Sequence, residues 1–210
     1  MPTLPLTVSV EVPNVPVTSR KLYPASRVWI CEMANTTRYS TRTWEELQTH
    51  LTGSFTARLH GLLALEILLF GPEGEFGKVR RGPSRTEVTA GSLNAIIEQR
   101  GNASYQMLTT GTLPGAPNGG AAAVAEPVDR SADFLEVRAG GRTYQARVSF
   151  LRNRATVLSQ EGEEVARLKG NLTGRRYEVS FDPEVVDALP VAVLILYHTI
   201  IHRSRAFQTG

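Results

Sequence analysis

The side chains best suited to chemistry in this chain are two histidines near its C-terminal end. His198 and His202 are four positions apart, so on a helix both rings can face one metal ion. No glutamate follows His198 as it does in zinc proteases, and no third ligand is evident in the sequence. The alternative is that both histidines end a core helix and meet solvent or the last carbonyl groups. The sequence favours that alternative and predicts no metal site.

A nucleophile or an acid–base pair is equally hard to assemble from this sequence. Cys31 is the only cysteine, and its apolar neighbours include no histidine, which indicates a buried and inert thiol. Paired acids occur at Glu45-Glu46 and Glu163-Glu164, where a helix start and a hairpin turn are expected, and both are usual solvated positions. We therefore predict a protein without catalytic residues or cofactor, with an enzyme of unidentified class as the alternative.

Basic side chains form the main candidate binding site. Lys78, Arg80, Arg81 and Arg85 lie within one hairpin and the loop that follows it. Each Lys or Arg near an anionic membrane surface contributes about 1 kcal/mol of attraction. The competing interpretation is an ordinary wet face whose charges are balanced by nearby glutamates. The sequence thus offers a lipid-binding patch as a hypothesis.

Two smaller basic pairs accompany this patch, Arg152 with Arg154 and Arg175 with Arg176. The sequence alone does not decide whether all these groups share one end of the fold. Nucleic acid is not an expected partner, because the net charge is only +3 and aromatics make up 7% of the residues without interleaving the arginines. The partners left open are an anionic membrane lipid or another protein, and the oligomeric state is undetermined.

The N-terminus shows neither the charged nor the apolar region of a signal peptide, and one cysteine allows no internal disulfide. We therefore expect a cytoplasmic protein, peripheral at the membrane if the basic patch binds lipid. The first residues, rich in proline around Leu6–Val12, predict an extended arm or edge strand. Thr43-Trp44-Glu45-Glu46 is typical of a capping box that opens a short helix ending near Leu51.

Alternating hydrophobicity predicts a run of short strands in the second half of the chain. Between Arg142 and Phe150, apolar residues at 144, 146, 148 and 150 alternate with polar ones at 143, 145, 147 and 149, which indicates a sheet with one dry and one wet face. Gly-containing turns separate this strand from similar segments at 134–138, 155–159, 164–169 and 175–181. A matching hairpin spans 65–81, and the sequence leaves a duplication of the two halves undecided.

Two further segments stand out. Gly111 to Pro127 is rich in Gly, Ala and Pro and predicts a flexible insertion. Ala188 to Ile201 is apolar on every face, as expected of a helix enclosed on all sides, and Asp187 is placed to cap it. A C-terminal membrane anchor is the alternative, although spanning a bilayer takes about 20 apolar residues.

The hairpins that end in Tyr177-Glu178-Val179-Ser180-Phe181, followed by the apolar run 187–197, resemble the tubby C-terminal-like superfamily. The LURP-one-related and phospholipid-scramblase-like branches are the most similar in style, and the resemblance covers about Asp133 to Arg203. It implies a closed antiparallel β-barrel threaded by a hydrophobic C-terminal helix. Tubby proteins bind phosphoinositide headgroups through basic surface residues, and scramblase-like members associate with membranes. No family binding motif matches here residue by residue.

The sequence thus predicts a mainly β protein, a closed antiparallel β-barrel around a hydrophobic C-terminal helix. Residues 1–55 form an N-terminal arm with a strand and a short helix. Residues 56–210 form the barrel, with the insertion at 111–127 and the central helix at 188–203. The predicted function is that of a non-enzymatic binding or scaffolding module that recognises anionic phospholipid or a protein partner.

Overall fold

The computed structural model describes residues 44–61, 66–82, 85–109, 121–129 and 132–206. The arm strand predicted near the N-terminus and Cys31 lie outside these ranges. The two described helices are α1 (Trp44–His50) and α2 (Ala188–Ala206). The described strands are β1 (Ser54–His60), β2 (Glu66–Gly71), β3 (Gly74–Arg81), β4 (Thr86–Ala90), β5 (Leu93–Gln99), β6 (Tyr105–Thr109), β7 (Ala121–Pro127), β8 (Phe134–Ala139), β9 (Arg142–Ser149), β10 (Arg154–Leu158), β11 (Glu164–Gly170) and β12 (Arg176–Phe181).

The strands form one closed barrel in which each pairs with its neighbours along the chain. All pairings are antiparallel, and β1 closes the circle by pairing with β12, from Ser54 opposite Ser180 to Arg58 opposite Arg176. Closure leaves no free sheet edge, the main aggregation hazard of an open antiparallel sheet. The predicted fold class, a closed antiparallel barrel with a C-terminal helix, is confirmed.

Buried and exposed side chains alternate along each strand, so one face of the sheet lines the barrel interior and the other faces solvent. In β9, Tyr144, Ala146 and Val148 are buried, whereas Gln145 and Arg147 are exposed. The same pattern places Tyr177, Val179 and Phe181 of β12 inside. A repeat of two residues turns successive side chains to opposite faces, so the alternation read from the sequence identifies the inward positions.

Helix α2 fills the barrel. Every residue from Ala188 to Ile201 is buried, and polar members find partners inside: Thr199 Oγ1 donates to the Ile195 carbonyl at 2.7 Å, and Tyr197 and Thr86 share a hydrogen bond of 3.0 Å. The anchor alternative requires this surface to face lipid, whereas the strands cover it. Neither described helix combines the length and apolarity needed to cross a membrane.

Gln48 of α1 forms three hydrogen bonds that hold the beginning of α2 in place. Its side-chain amide donates to the carbonyls of Pro183 at 2.8 Å and Val185 at 2.7 Å, and its Oε1 accepts from the Leu189 amide at 3.1 Å. Asp187, the predicted cap, does not accept this first-turn amide. Its carboxylate accepts the Tyr144 hydroxyl at 3.1 Å, because strand β9 passes within reach of that side chain.

The prediction of a flexible insertion at 111–127 is wrong for residues 121–127. Residues 121–127 form β7, in which Ala123 and Ala125 are buried against the core, and residues 111–120 lie outside the described ranges. Composition is misleading here, because strands that surround a helix of large side chains need small inward residues, and alanine supplies them. Strands β1, β4 and β6 have no counterpart in the sequence prediction.

The barrel begins at Ser54, two residues before its predicted start, and the short helix belongs with it. Trp44 and Leu47 of α1 are buried in the common core. We call the end where α1 and the beginning of α2 lie the entry end. The opposite end, where the C-terminal part of α2 lies and Arg203 donates to the Leu172 carbonyl at 3.1 Å, is the exit end.

Placing a charge inside the barrel should unfold the protein. Leu194 is 0% exposed, and an unpaired carboxylate there has no water and no partner, so Leu194→Asp should lower the free energy of unfolding by more than about 4 kcal/mol. Leu172→Asp, at a position 97% exposed, is the matched control and should melt like the wild type. A folded Leu194→Asp variant with an unchanged melting temperature would contradict the enclosed helix.

Removing the amide of Gln48 should weaken the entry end. Gln48→Leu keeps a similar volume but breaks three hydrogen bonds, which should reduce the free energy of unfolding by about 3 kcal/mol in urea titrations. The control Thr49→Ala removes one solvent-exposed hydrogen bond and should change the value by less than about 0.5 kcal/mol. Equal effects of the two substitutions would show that the Gln48 hydrogen bonds are unimportant.

Candidate functional site

The exposed charges of the barrel are distributed unevenly between its two ends. Acidic side chains collect on α1 and on the loops and strand ends of the entry end: Glu45, Glu46, Glu73, Glu161, Glu163, Glu164, Asp182 and Glu184. Basic side chains are most numerous at the exit end, where Arg58, Arg80, Arg81, Arg85, Arg152, Arg154, Lys169, Arg175 and Arg176 lie together with the acidic Glu66, Glu87, Glu98, Glu126, Asp129, Asp133 and Glu178. The small net charge of the chain therefore conceals an excess of acidic groups at the entry end and of basic groups at the exit end.

The sequence-predicted patch lies on this exit end. Lys78 and Arg80 point outward from β3, and Arg81 and Arg85 flank the turn into β4. Arg80 lies in register between Glu66 on β2 and Glu87 on β4, and Arg85 forms an ion pair with Glu87 at 3.0 Å. The patch therefore shares its end with the other arginine pairs, but neighbouring carboxylates reduce its local charge.

A larger basic groove lies beside it on the outer face of β2, β1, β12 and β11. It has a volume of about 720 Å³, within the range of small-molecule sites. Its cations are Arg58, Arg167, Lys169 and Arg176, and Glu178 is the acidic side chain among its lining residues. Ser54, Thr56 and Ser180 add hydroxyl groups. We call this surface the basic groove.

Two arginines of the basic groove face each other across the β1–β12 pairing. Arg58 is directly opposite Arg176, an arrangement that destabilises an antiparallel pair by like-charge repulsion. Among the described residues neither guanidinium forms an ion pair, and Arg58 lies over the Phe70 ring at 4.8 Å. An anion between the two guanidinium groups would relieve the repulsion.

The other two cations of the groove have acidic neighbours. Lys169 is in register with Glu178 on one side and Arg154 on the other. Arg167 Nε donates to Glu164 Oε2 at 3.0 Å, so it is already engaged towards the entry end. The positive charge of the groove is therefore concentrated at its exit-end half, around Arg58 and Arg176.

His198 and His202 lie inside the exit end rather than on its surface. Their ring centroids are 4.5 Å apart; His198 Nε2 bonds to the Ala132 carbonyl at 2.8 Å and His202 Nε2 to the Tyr105 hydroxyl at 3.0 Å. The Phe150 ring packs on both. In the described part of the chain no group of three or more potential metal ligands occurs. These rings are accounted for by packing and hydrogen bonds.

No family model matches the chain, and no curated protein matches it. The X-ray structure of a protein from Arabidopsis thaliana matches with a TM-score of 0.47 and 14% identity, over 69% of this chain and 90% of that chain. The family resemblance that the sequence pattern indicates stays a prediction.

The basic groove is hidden from sequence reasoning because its parts are remote along the chain. Arg58 comes from the first strand and Arg176 from the last, and only barrel closure brings them together. A partial signal exists, since Arg167, Lys169 and Arg176 all occupy outward positions of strands whose alternation is clear. The strand that carries Arg58 has no such clear pattern, so the sequence does not reveal the pairing.

Tyr177 lies behind the groove, on the inner face of β12. It is 0% exposed, and a Cβ at Gly170 would lie 2.7 Å from its ring, so only a glycine fits opposite. Burial raises the pKa of Tyr177 above its ordinary value of 10.0, while the positive charge of Arg203 acts in the opposite direction. The hydroxyl is therefore held neutral inside the exit end.

This raised pKa should make the protein sensitive to alkali. Below pH 10.0 the Tyr177 hydroxyl is protonated in both the folded and the unfolded protein, so the free energy of unfolding keeps its full value. As the pH rises through the higher pKa of the folded state, the unfolded chain loses this proton more readily than the folded protein, and the free energy of unfolding falls. Tyr177→Phe should therefore show a shallower decline of the urea midpoint above pH 10 than the wild type. Identical alkaline slopes for the two proteins would contradict this assignment.

Proposed function

We propose that this protein is a non-enzymatic binding module that recognises the phosphate groups of anionic phospholipids through the basic groove. The observation that carries the proposal is the pair Arg58 and Arg176, directly opposite each other without a carboxylate partner among the described residues. A bound anion would neutralise the repulsion between the two guanidinium groups.

The chemistry of the groove suits phosphate better than a simple carboxylate. Planar guanidinium groups bind phosphate oxygens with two parallel hydrogen bonds, and two opposed arginines can engage several oxygens of one headgroup. Lys169 adds a point charge, and the hydroxyl of Thr56, two positions from Arg58 on the same face of β1, can donate to a further oxygen. The volume of about 720 Å³ accommodates a headgroup with more than one phosphate.

The charge polarity of the barrel supports a membrane ligand over a soluble one. An anionic bilayer attracts the basic exit end and repels the acidic entry end, so the barrel would approach the surface in one orientation. The predicted patch of Lys78, Arg80, Arg81 and Arg85 then contributes from the flank of the groove. Because the screening length is about 8 Å at physiological salt, this steering should weaken as salt increases.

An acidic segment of a partner protein is the second candidate ligand. It is favoured by the extent of the basic surface, since cations continue from β4 through β1 to β10 around the exit end. A carboxylate-rich peptide would use the same arginines but would not need a bilayer. Binding to vesicles therefore separates the two candidates.

Flotation with vesicles tests the lipid proposal. The wild type should float with phosphatidylcholine vesicles only when phosphatidylserine or a phosphoinositide is added, and less at higher salt. Neutralising Arg58 and Arg176 together to Gln should lower the partition coefficient roughly thirtyfold, because each arginine near the surface contributes about 1 kcal/mol. The fold should be unchanged, since Arg58 and Arg176 both point away from the core.

A double and a single variant serve as matched controls. Arg80→Gln with Arg81→Gln should cause a smaller loss, because Glu66 and Glu87 already flank Arg80. Arg138→Gln should cause none, since Arg138 lies between Glu126 and Glu136 on the opposite wall. Failure of the wild type to bind anionic vesicles at low salt would remove the lipid proposal and favour an acidic protein partner.

A further inference from the structure

Two leucines project completely into solvent at the exit end. Leu151 is 101% exposed and Leu172 is 97% exposed, more than any other large hydrophobic residue in the described part of the chain. Leu151 is in the turn between β9 and β10, and Leu172 is in the turn between β11 and β12. A single exposed leucine needs no explanation, but two on adjacent loops form a paired apolar tip.

Hydrogen bonds join the two loops, and this fixes the position of one leucine relative to the other. Asn153 Nδ2 donates to the Asn171 carbonyl at 2.8 Å, and the Gly170 amide donates to the Asn153 carbonyl at 2.6 Å. Asn153 is only 5% exposed and has a left-handed backbone with φ of 51°. A buried asparagine in this conformation is a costly feature that serves to join the two turns.

The Leu172 turn is also stabilised by hydrogen bonds within the turn and from α2. The Asn171 Oδ1 atom accepts from the Thr173 hydroxyl at 3.1 Å and from the amides of Arg175 and Arg176 at 3.0 and 3.2 Å. From the end of α2, Arg203 Nη2 donates to the Leu172 carbonyl at 3.1 Å. The chain thus holds an apolar side chain out in water by several hydrogen bonds.

The charges around the leucines indicate what would cover them. Residues 150–154 and 170–176 contain Arg152, Arg154, Arg175 and Arg176 and no acidic residue. An apolar tip with a cationic rim matches the interface of an anionic bilayer, where leucine enters the acyl boundary and guanidinium groups remain with the phosphates. A protein surface would instead need an apolar pocket within an acidic rim.

We propose that Leu151 and Leu172 insert together into the acyl boundary of an anionic phospholipid bilayer and fix the barrel with its exit end on the membrane. The inference rests on the proposed function for the class of lipid, and it adds an apolar contact and a defined orientation. Arg176 both follows the Leu172 turn and lines the basic groove, so the two surfaces meet the same leaflet.

The central experiment replaces both leucines by serine and compares two probes. Leu151→Ser with Leu172→Ser should reduce partitioning onto phosphatidylcholine–phosphatidylserine vesicles by roughly tenfold per leucine, because each loses an apolar side chain that leaves water on insertion. Binding of soluble inositol trisphosphate to the groove should be unchanged. Val186→Ser, at a position 54% exposed at the entry end, is the control and should partition like the wild type.

Insertion is observed directly with a tryptophan at the tip. The emission of a Leu172→Trp variant should shift to the blue on anionic vesicles and be quenched by lipids brominated on their acyl chains, relative to the native tryptophans of the wild type. A Val186→Trp variant, with its new side chain at the entry end, is the matched control and should show neither the shift nor the quenching.

The outcomes separate this inference from the proposed function. If the wild type binds anionic vesicles but the serine variant binds equally well and the Leu172→Trp variant is not quenched, insertion is overturned and groove binding stands. If inositol trisphosphate binds but vesicles do not, the tip does not meet lipid. If the wild type dimerises without vesicles and the serine variant is monomeric, a second copy covers the leucines and the inference fails.

Discussion

The enclosure of α2 is the constraint on which the rest of the structure depends. A helix without a polar face must lose contact with water on every side, and the strands around it provide that enclosure. Its large side chains leave little room, so many inward strand positions are alanine: Ala57, Ala90, Ala95, Ala123, Ala125, Ala139, Ala146, Ala155 and Ala166. Close packing around a helix with large side chains thus governs the composition of the strands as well as their number.

The candidate binding surface is a consequence of the same enclosure. To surround the helix completely, the first strand must pair with the last, and this pairing places Arg58 opposite Arg176. Because strand alternation assigns inner positions to the core, the outer positions are free to carry charge. The antiparallel order then gathers alternate loops at each end, so the arginine-bearing turns at 150–154 and 170–176 meet at the exit end, and the acidic loops at 159–164 and 182–184 lie at the entry end.

The interior and exterior of the exit end are joined by a few polar contacts. Arg203 belongs to the central helix yet donates to the carbonyl of Leu172, and the buried Asn153 donates to the carbonyl of Asn171. These contacts connect the rigid core to the loops that carry the leucines. A surface held in this way is pre-organised, which reduces the entropy lost on binding.

Local pattern in the sequence determined the features that depend on neighbours along the chain. The period-two alternation of β9 and β12, the glycine turns and the uniform apolarity of 188–201 identified the barrel and its central helix, because each is a property of consecutive residues. The tertiary structure alone decided the rest. Alanines at 121–127 form a strand only because a helix lies against them, Gln48 replaces Asp187 at the helix start because α1 folds over that end, and Arg58 meets Arg176 only when the barrel closes. Contacts between distant residues leave no periodic trace in a single sequence, so the binding surface became visible only in the fold.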